Sequence, residues 1–292
     1  MKIAAIDIGS NAARMQISSV LTDKKKISIK KVEYVRFALR LGMDVFNTGK
    51  ISYESEARIK KLLMAYRLLM ELHEVDAYMI CATSAMREAE NGVNIVERIK
   101  NELGMEIHLI DGEKEAELIN NVIVVVLEDE KTYLHIDVGG GSTELSLFAA
   151  GELVASKSFN LGTIRILDNQ DTEETWSEMH DFLREHTRHF KNISGIGTGG
   201  NINKLYKLAE EKDKAPISFT KLKSLYSYLN SFSLKDRINV LGLNQDRADV
   251  IIPACEIYMS VMKWGGIKNM YVPSVGMVDG IIQTLIEKNF NK

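Results

Sequence analysis

Cysteine is scarce: Cys81 and Cys255 are the only two in a chain of 292 residues. Both lie in apolar surroundings without C-x-x-C spacing, which argues against a disulfide scaffold or a thiolate metal centre and for two buried, reduced thiols. Long hydrophobic runs are lacking too. No stretch approaches the roughly 20 apolar residues of a membrane helix, and the opening MKIAAIDI reads as a strand rather than a cleavable leader. Together these absences imply a cytoplasmic protein with no membrane partner. An excess of positive charge is also missing, since Lys+Arg 37 against Asp+Glu 40 leaves a formal net charge of −3 and no global field for gathering nucleic acid. One basic run, KKKISIKK at 24 to 31, reads as a hairpin turn with solvated lysines on a strand face.

What is present is an ordinary globular composition, 45% hydrophobic and 26% charged, at a length that suits two domains. Runs rich in β-formers predict strands at 3 to 8, 14 to 20 and 27 to 36, with DKKK turning the second into the third. A helix is expected over 52 to 73, where Ile59, Leu62, Leu63, Tyr66, Leu69 and Met70 recur at helical spacing. Then come strand YMICAT, a helix to about 103, strand EIHLI and helix EKEAELINNVIVVVL, which completes the order βββαβαβα. The order begins again after Glu130, with strands TYLHIDV, TELSLFA and LVASKSF, a helix over 173 to 190, strand ISGIGT and further helices. A late strand NMYVPS and a helix over 276 to 289 close the chain.

Duplication is visible in the residues themselves. AIDIGSNAARMQIS at 5 to 18 lies over HIDVGGGSTELSLF at 135 to 148, with Asp7 on Asp137 and Gly9 on Gly139. ATSAMR at 82 to 87 matches GTGGNI at 197 to 202 in small residues and in position after a strand. A repeat of this length is two copies of one domain rather than a solenoid. The expected division is 1–124 and 125–292, with the last helix free to pack back on the first domain.

The GGGS run is not a dinucleotide fingerprint, because a strand follows it where that motif needs a helix. A strand, glycine turn, strand element serves another purpose. Glycines let backbone N–H groups converge in a nest that suits phosphate oxygens. Two such turns facing each other across an interdomain cleft would grip a phosphate chain, and Asp7 and Asp137, each just before its turn, could hold a divalent cation. Thr83 and Ser84 offer hydroxyls and amides at a helix start, and Arg87 can fork onto phosphate. GTGGN at 197 to 201 does the same in the second half.

The set AIDIGSN, ATSAMREAEN, IDGEKEAELI, HIDVGGGSTE, SFNLGTIRI and GIGTGGN, in order and over nearly the whole chain, resembles the exopolyphosphatase and guanosine pentaphosphate phosphatase (Ppx/GppA) family. The resemblance implies an α/β protein of two duplicated ribonuclease-H-like (actin-like ATPase) domains with an interdomain cleft. It implies hydrolysis of the terminal phosphoanhydride of polyphosphate, or of the 5′ phosphate of guanosine pentaphosphate, with magnesium or manganese. By the same resemblance Glu115, in the G-x-x-E-A element, is the base that activates water, and Arg87 neutralises the transferred phosphoryl group. Asp137 with Glu144 organises the cation, beside the place the turn pattern gives Asp7. Gly9, Ser10, Asn11 and Gly139, Gly140, Gly141, Ser142 line the phosphate site with Thr83 and Ser84, and Gly199 and Gly200 lie near them. Arg165, in NLGTIR, belongs to the motif as well, as a site residue or as a structural ion pair.

Departures from the family pattern are Ala12 and Ala13 after GSN, Asn201 in place of threonine, and Val278 where an arginine is common. Val278 and the two alanines favour, as a second reading, a non-hydrolytic nucleotide or (p)ppGpp-binding protein of the same fold, whereas Asn201 keeps a hydrogen-bonding group; a kinase ranks third, because neither an Asp base nor a substrate loop can be located. His186 and His189 stand at i and i+3 on the helix expected at 173 to 190, with His180 on the opposite side, a poor metal site and a good solvated face. VIVVVL at 122 to 127 reads as a buried helix or strand, with a homodimer interface as the other option.

Overall fold

A computed structural model describes residues 1–23, 26–128, 130–211 and 215–290. Lys24 and Lys25, in the DKKK turn and at the head of the basic run, lie outside the described residues, while Lys30 and Lys31 are exposed on a strand as expected. The chain forms two units, Met1–Val122 with Met277–Lys292, and Ile123–Gly276.

In the first unit the strands are β1 Lys2–Ile8, β2 Ala13–Asp23, β3 Lys26–Phe37, β4 Ala77–Ala82 and β5 Ile107–Leu109, in the sheet order β3-β2-β1-β4-β5. β1 to β3 form an antiparallel meander, whereas β4 runs parallel to β1 and β5 parallel to β4. The run KIAAIDI makes a central strand because it is apolar on both faces, as helices on both sides of a sheet demand. Ile6, Ile8, Met15 and Ile80 join Ile59, Leu63 and Tyr66 of helix Tyr53–Leu72 and Ile95 and Ile99 of helix Gly92–Leu103 in one core. Helix Met277–Phe290 lies against β1, β2 and β4, and Gln16 Nε2 donates to its Asp279 Oδ1 at 3.3 Å. Gly280 lets that helix rest on the backbone of helix Gly112–Ile123, since a Cβ at 280 would come within 2.2 Å of Leu118 O.

The second unit contains β6 Thr132–Val138, β7 Thr143–Ala149, β8 Glu152–Phe159, β9 Ser194–Thr198, β10 Ile217–Ser218 and β11 Asn269–Tyr271. Its order β8-β7-β6-β9-β11 reproduces the first sheet, and β10 adds an antiparallel edge beyond β11. The copies agree even in a defect. The pairing of β2 with β3 slips between Ile17 and Ser18, and that of β7 with β8 between Leu147 and Phe148, which are the same two positions in the overlay of the repeats. A bulge bends a strand and raises its local twist, so both meanders curve at one place. The fold is thus the duplicated α/β plan expected. Among the described residues no helix is long and apolar enough to cross a membrane.

Two expectations are corrected. The helix through VIVVVL ends at Ile123 and gives way to a 3-10 turn over Val124–Val126, with Ile123 buried and Val124 and Val125 exposed. The helix expected to reach residue 190 is Glu173–Thr187, and His189 falls beyond its end. His186 packs on Phe182 and His180 on Trp264 instead. Short elements went unread: helices Leu41–Thr48 and Thr163–Leu167, and β10. Both cysteines are buried free thiols, and burial pushes the Cys81 thiol up to about 12.

Candidate active site

Ligands of open α/β sheets gather beyond the carboxyl ends of the parallel strands. In the first unit that edge is formed by the ends of β1, β4 and β5, and it carries every residue expected there. Gly9 N donates to Ala12 O at 3.1 Å and closes the first turn. Ser10 Oγ and Ser84 Oγ are 2.7 Å apart, and Ala85 N donates to Ser10 Oγ at 3.3 Å, so the turn is tied to the helix start after β4. Ser10, Thr83 and Ser84 are all buried. Arg87 Nη1 donates to Ile110 O at 2.6 Å, and Arg87 Nη2 lies 3.7 Å from Glu88 Oε1. Ile110 leads directly into the helix that bears Glu115, whose start is capped by Asp111 Oδ1 accepting from Lys114 N at 2.8 Å. Glu115 is half-buried in the first turn. Burial first, and then the charges of Asp7, its register partner on β1, and of Glu115, raise the Cys81 thiol.

Asp7 is not alone. Arg14 Nη1 donates to Asp7 Oδ2 at 2.6 Å from the directly opposing position on β2. Burial raises the Asp7 carboxyl, and Arg14 opposes that rise. The corresponding pair in the second unit is Asp137 with Glu144, again opposed in register on β6 and β7. Cross-strand partners project to the same face. Where the first copy closes its aspartate with an arginine, the second sets two buried carboxylates side by side. Ser158 Oγ donates to Glu144 Oε1 at 2.7 Å, and burial first, then the charges of Asp137 and Glu144, raise the phenol of Tyr258. These are hard oxygen donors in a concentrated negative field, a set of the kind that would suit a divalent cation such as magnesium. Among the described residues no group of three or more His, Cys, Asp or Glu is arranged around a metal position.

The second glycine turn closes as the first does, with Gly139 N donating to Ser142 O at 2.9 Å. Gly199 needs to be glycine on two counts: its φ is 92°, and a Cβ there would meet Asp137 Oδ1 at 2.6 Å. Thr198, one residue earlier, is held from two sides. His135 Nε2 is 2.8 Å from Thr198 Oγ1, and Tyr258 Oη donates to Thr198 O at 2.8 Å. Burial of His135 pushes its imidazole down to about 3, so the ring is neutral. Arg247 Nη1 donates to Gly200 O.

A family model described as the Ppx/GppA phosphatase family matches residues 20–289. The chain belongs to that family. The match begins after the first turn, so Asp7 to Asn11 rest on the duplication rather than on it. Among Ppx/GppA relatives, a bifunctional 3-dehydroquinate synthase/phosphatase of Fusobacterium nucleatum is 28% identical over 313 residues, covering 99% of this chain but 47% of that protein. This chain therefore spans about half the length of that relative. Exopolyphosphatase 2 of Mycobacterium tuberculosis is 27% identical over 314 residues, covering 97% of this chain and 98% of that one. A crystal structure of an exopolyphosphatase from Cytophaga hutchinsonii superposes with a TM-score of 0.84 at 23% identity, covering 99% and 98% of the two chains, and shares the fold.

Three Ppx/GppA departures now have places. Ala12 and Ala13 are buried, with Ala13 paired to Ile8 where β2 begins. Asn201 is buried in the first turn of helix Gly200–Leu208. Val278 is buried in helix Met277–Phe290, where an apolar side chain is at home and a cation would need a partner. Sequence reasoning missed Arg14, Arg247, His135 and Tyr258 as supports of the turns. Only Arg14 carried a signal, since the overlay of the repeats places it on Glu144.

Proposed function

We propose that this chain is a phosphohydrolase that removes the terminal phosphoryl group from inorganic polyphosphate, with the 5′ phosphate of guanosine pentaphosphate as the other substrate of the same chemistry. The observation that carries the reading is the Arg87 to Ile110 hydrogen bond, which fixes a guanidinium at the start of the helix bearing Glu115. A carboxylate base and a cation so placed are what in-line attack by water requires. Glu115 takes a proton from the attacking water while the new O–P bond forms. Arg87 meets charge on the phosphoryl oxygens, and the bridging P–O bond breaks toward the shortened chain. In the first unit the backbone N–H groups of the glycine turn, with Ser10, Thr83 and Ser84, bind phosphate, and in the second unit those of its own glycine turn do so. Asp137 and Glu144 would hold magnesium, which neutralises phosphate charge when bound. Asp7, engaged by Arg14, shapes the first turn.

Incubation with long-chain polyphosphate and magnesium, and separately with guanosine pentaphosphate, tests the reading. Phosphate release by the intact protein and a loss of at least about a hundredfold in Glu115→Gln are expected. Equal release from both proteins removes Glu115 as base. Calorimetric binding of guanosine polyphosphates with no hydrolysis of either substrate would favour the non-hydrolytic reading, which the buried Val278 motivates.

A further inference from the structure

Glycines make a nest possible but do not aim it. In the second unit the turn is aimed by the segment that follows β8. Thr163 N donates to Gly139 O at 3.1 Å, Ile164 N to Gly140 O at 2.8 Å, and Arg165 Nε to Gly141 O at 2.6 Å. Three successive carbonyls are thus drawn to one side. A trans peptide holds its N–H opposite its carbonyl, so the N–H groups of Gly140, Gly141 and Ser142 are turned to the other side together. The fit is close. A Cβ at Gly162 would meet Gly140 O at 2.4 Å and Gly141 C at 2.6 Å, so the segment lies directly on the turn. Thr143 Oγ1 fixes the segment in turn by donating to Leu161 O at 2.6 Å.

The first unit repeats the device with other residues. After β3, Gly42 N donates to Ser10 O and Arg40 N to Asn11 O, both at 2.8 Å, which turns the N–H groups of Asn11 and Ala12 away. Both copies therefore carry a brace behind the turn. In the first the Asn11 carbonyl accepts from the Arg40 backbone N–H, and in the second the Arg165 side chain takes the corresponding place at Gly141.

We infer that Arg165 is a positioning residue: its Nε–H holds the Gly141 carbonyl so that the Ser142 N–H, with those of Gly140 and Gly141, is aimed at a phosphate oxygen. The inference rests on the reading of the turn as a phosphate site, and the experiment separates the two. Amide resonances of Gly140, Gly141 and Ser142 are followed by heteronuclear NMR during titration with tripolyphosphate and magnesium, in the intact protein and in Arg165→Ala, Arg165→Lys and Gly162→Ala variants. Intact protein is expected to shift all three amides on binding. Arg165→Ala and Arg165→Lys should both bind about tenfold more weakly, with the Ser142 response reduced most, because lysine keeps the charge but not the planar Nε–H. KM should rise more than kcat falls. Tryptophan fluorescence melts establish that the lysine variant is folded, which keeps the test valid if Gly162→Ala is not. Amides of the intact protein that do not respond refute the phosphate reading and the inference with it. A response that survives unchanged in Arg165→Ala, or is restored by Arg165→Lys, refutes the brace alone.

Discussion

His135 offers a test of the second unit's interior that needs no substrate. Its ring is fully buried on β6, its Nε2 is held at Thr198 Oγ1, and among the described residues its Nδ1 has no hydrogen-bond partner, so a proton there would be desolvated and unshared. Burial accordingly lowers the imidazole from 6.5 to about 3. The sign follows from which state binds the proton. Between those two values the unfolded chain is protonated and the folded one is not, so stability is fully present above about 6.5 and is lost as pH falls. The loss amounts to about 2 kcal/mol at pH 5 and roughly 3 kcal/mol at pH 4. Replacing His135 by glutamine keeps an amide near the Nε2 position but removes the titration. The assay is urea unfolding followed by tryptophan fluorescence, because Trp176 and Trp264 both lie in the second unit, stacked edge to face at 5.9 Å, and report on it selectively. The intact protein should lose about 2 kcal/mol more than His135→Gln between pH 8 and pH 5; the carboxylates, common to both proteins, cancel in the difference. Parallel stability curves over that range would refute the account of a neutral, unshared imidazole.

Three further outcomes follow from close contacts. Ser10→Ala should cost about 1–2 kcal/mol by stranding the buried Ser84 hydroxyl, and should speed hydrogen exchange at the Ala85 amide, which loses its acceptor. Gly280→Ala forces a methyl onto the Leu118 carbonyl and should cost about 1–3 kcal/mol or more, read as faster exchange along residues 277–290 with the tryptophan-reported transition unmoved. Tyr258→Phe removes the donor to Thr198 O and should lower the urea stability of the second unit by about 1 kcal/mol.

The two sheets were legible because their central strands are continuous apolar runs between helices, and the duplication because Asp and Gly recur at one spacing in IDIGS and IDVGG. Short helices such as Leu41–Thr48 were not legible, since eight residues give barely two turns of periodicity. At the candidate site the glycine turns, Arg87 and Glu115 could be named from motifs, and the structure places them at the strand ends. The contacts that hold them could not be named, even where the residue itself was, as with Arg165. Arg14 pairs with Asp7 across a strand pair, Arg165 reaches back 24 residues to Gly141, and Tyr258 reaches 60 to Thr198. Such partners are set by tertiary folding, and an arginine or tyrosine in isolation carries no mark of which carbonyl it will find.

The helix Met277–Phe290 belongs to the first unit although 154 residues of the second separate it from the rest, at Ile123–Gly276. Translation therefore delivers the parts out of order. The second unit is one uninterrupted stretch and can fold as it leaves the ribosome. The first unit, begun earlier, waits roughly 10 to 30 s at ordinary elongation rates for the helix that covers β1, β2 and β4. During that interval its apolar sheet face is open to chaperones and to neighbouring nascent chains. The half carrying Glu115 and Arg87 is thus the last to be completed, and a ribosome that stalls before residue 277 releases a finished second unit beside an unfinished first one.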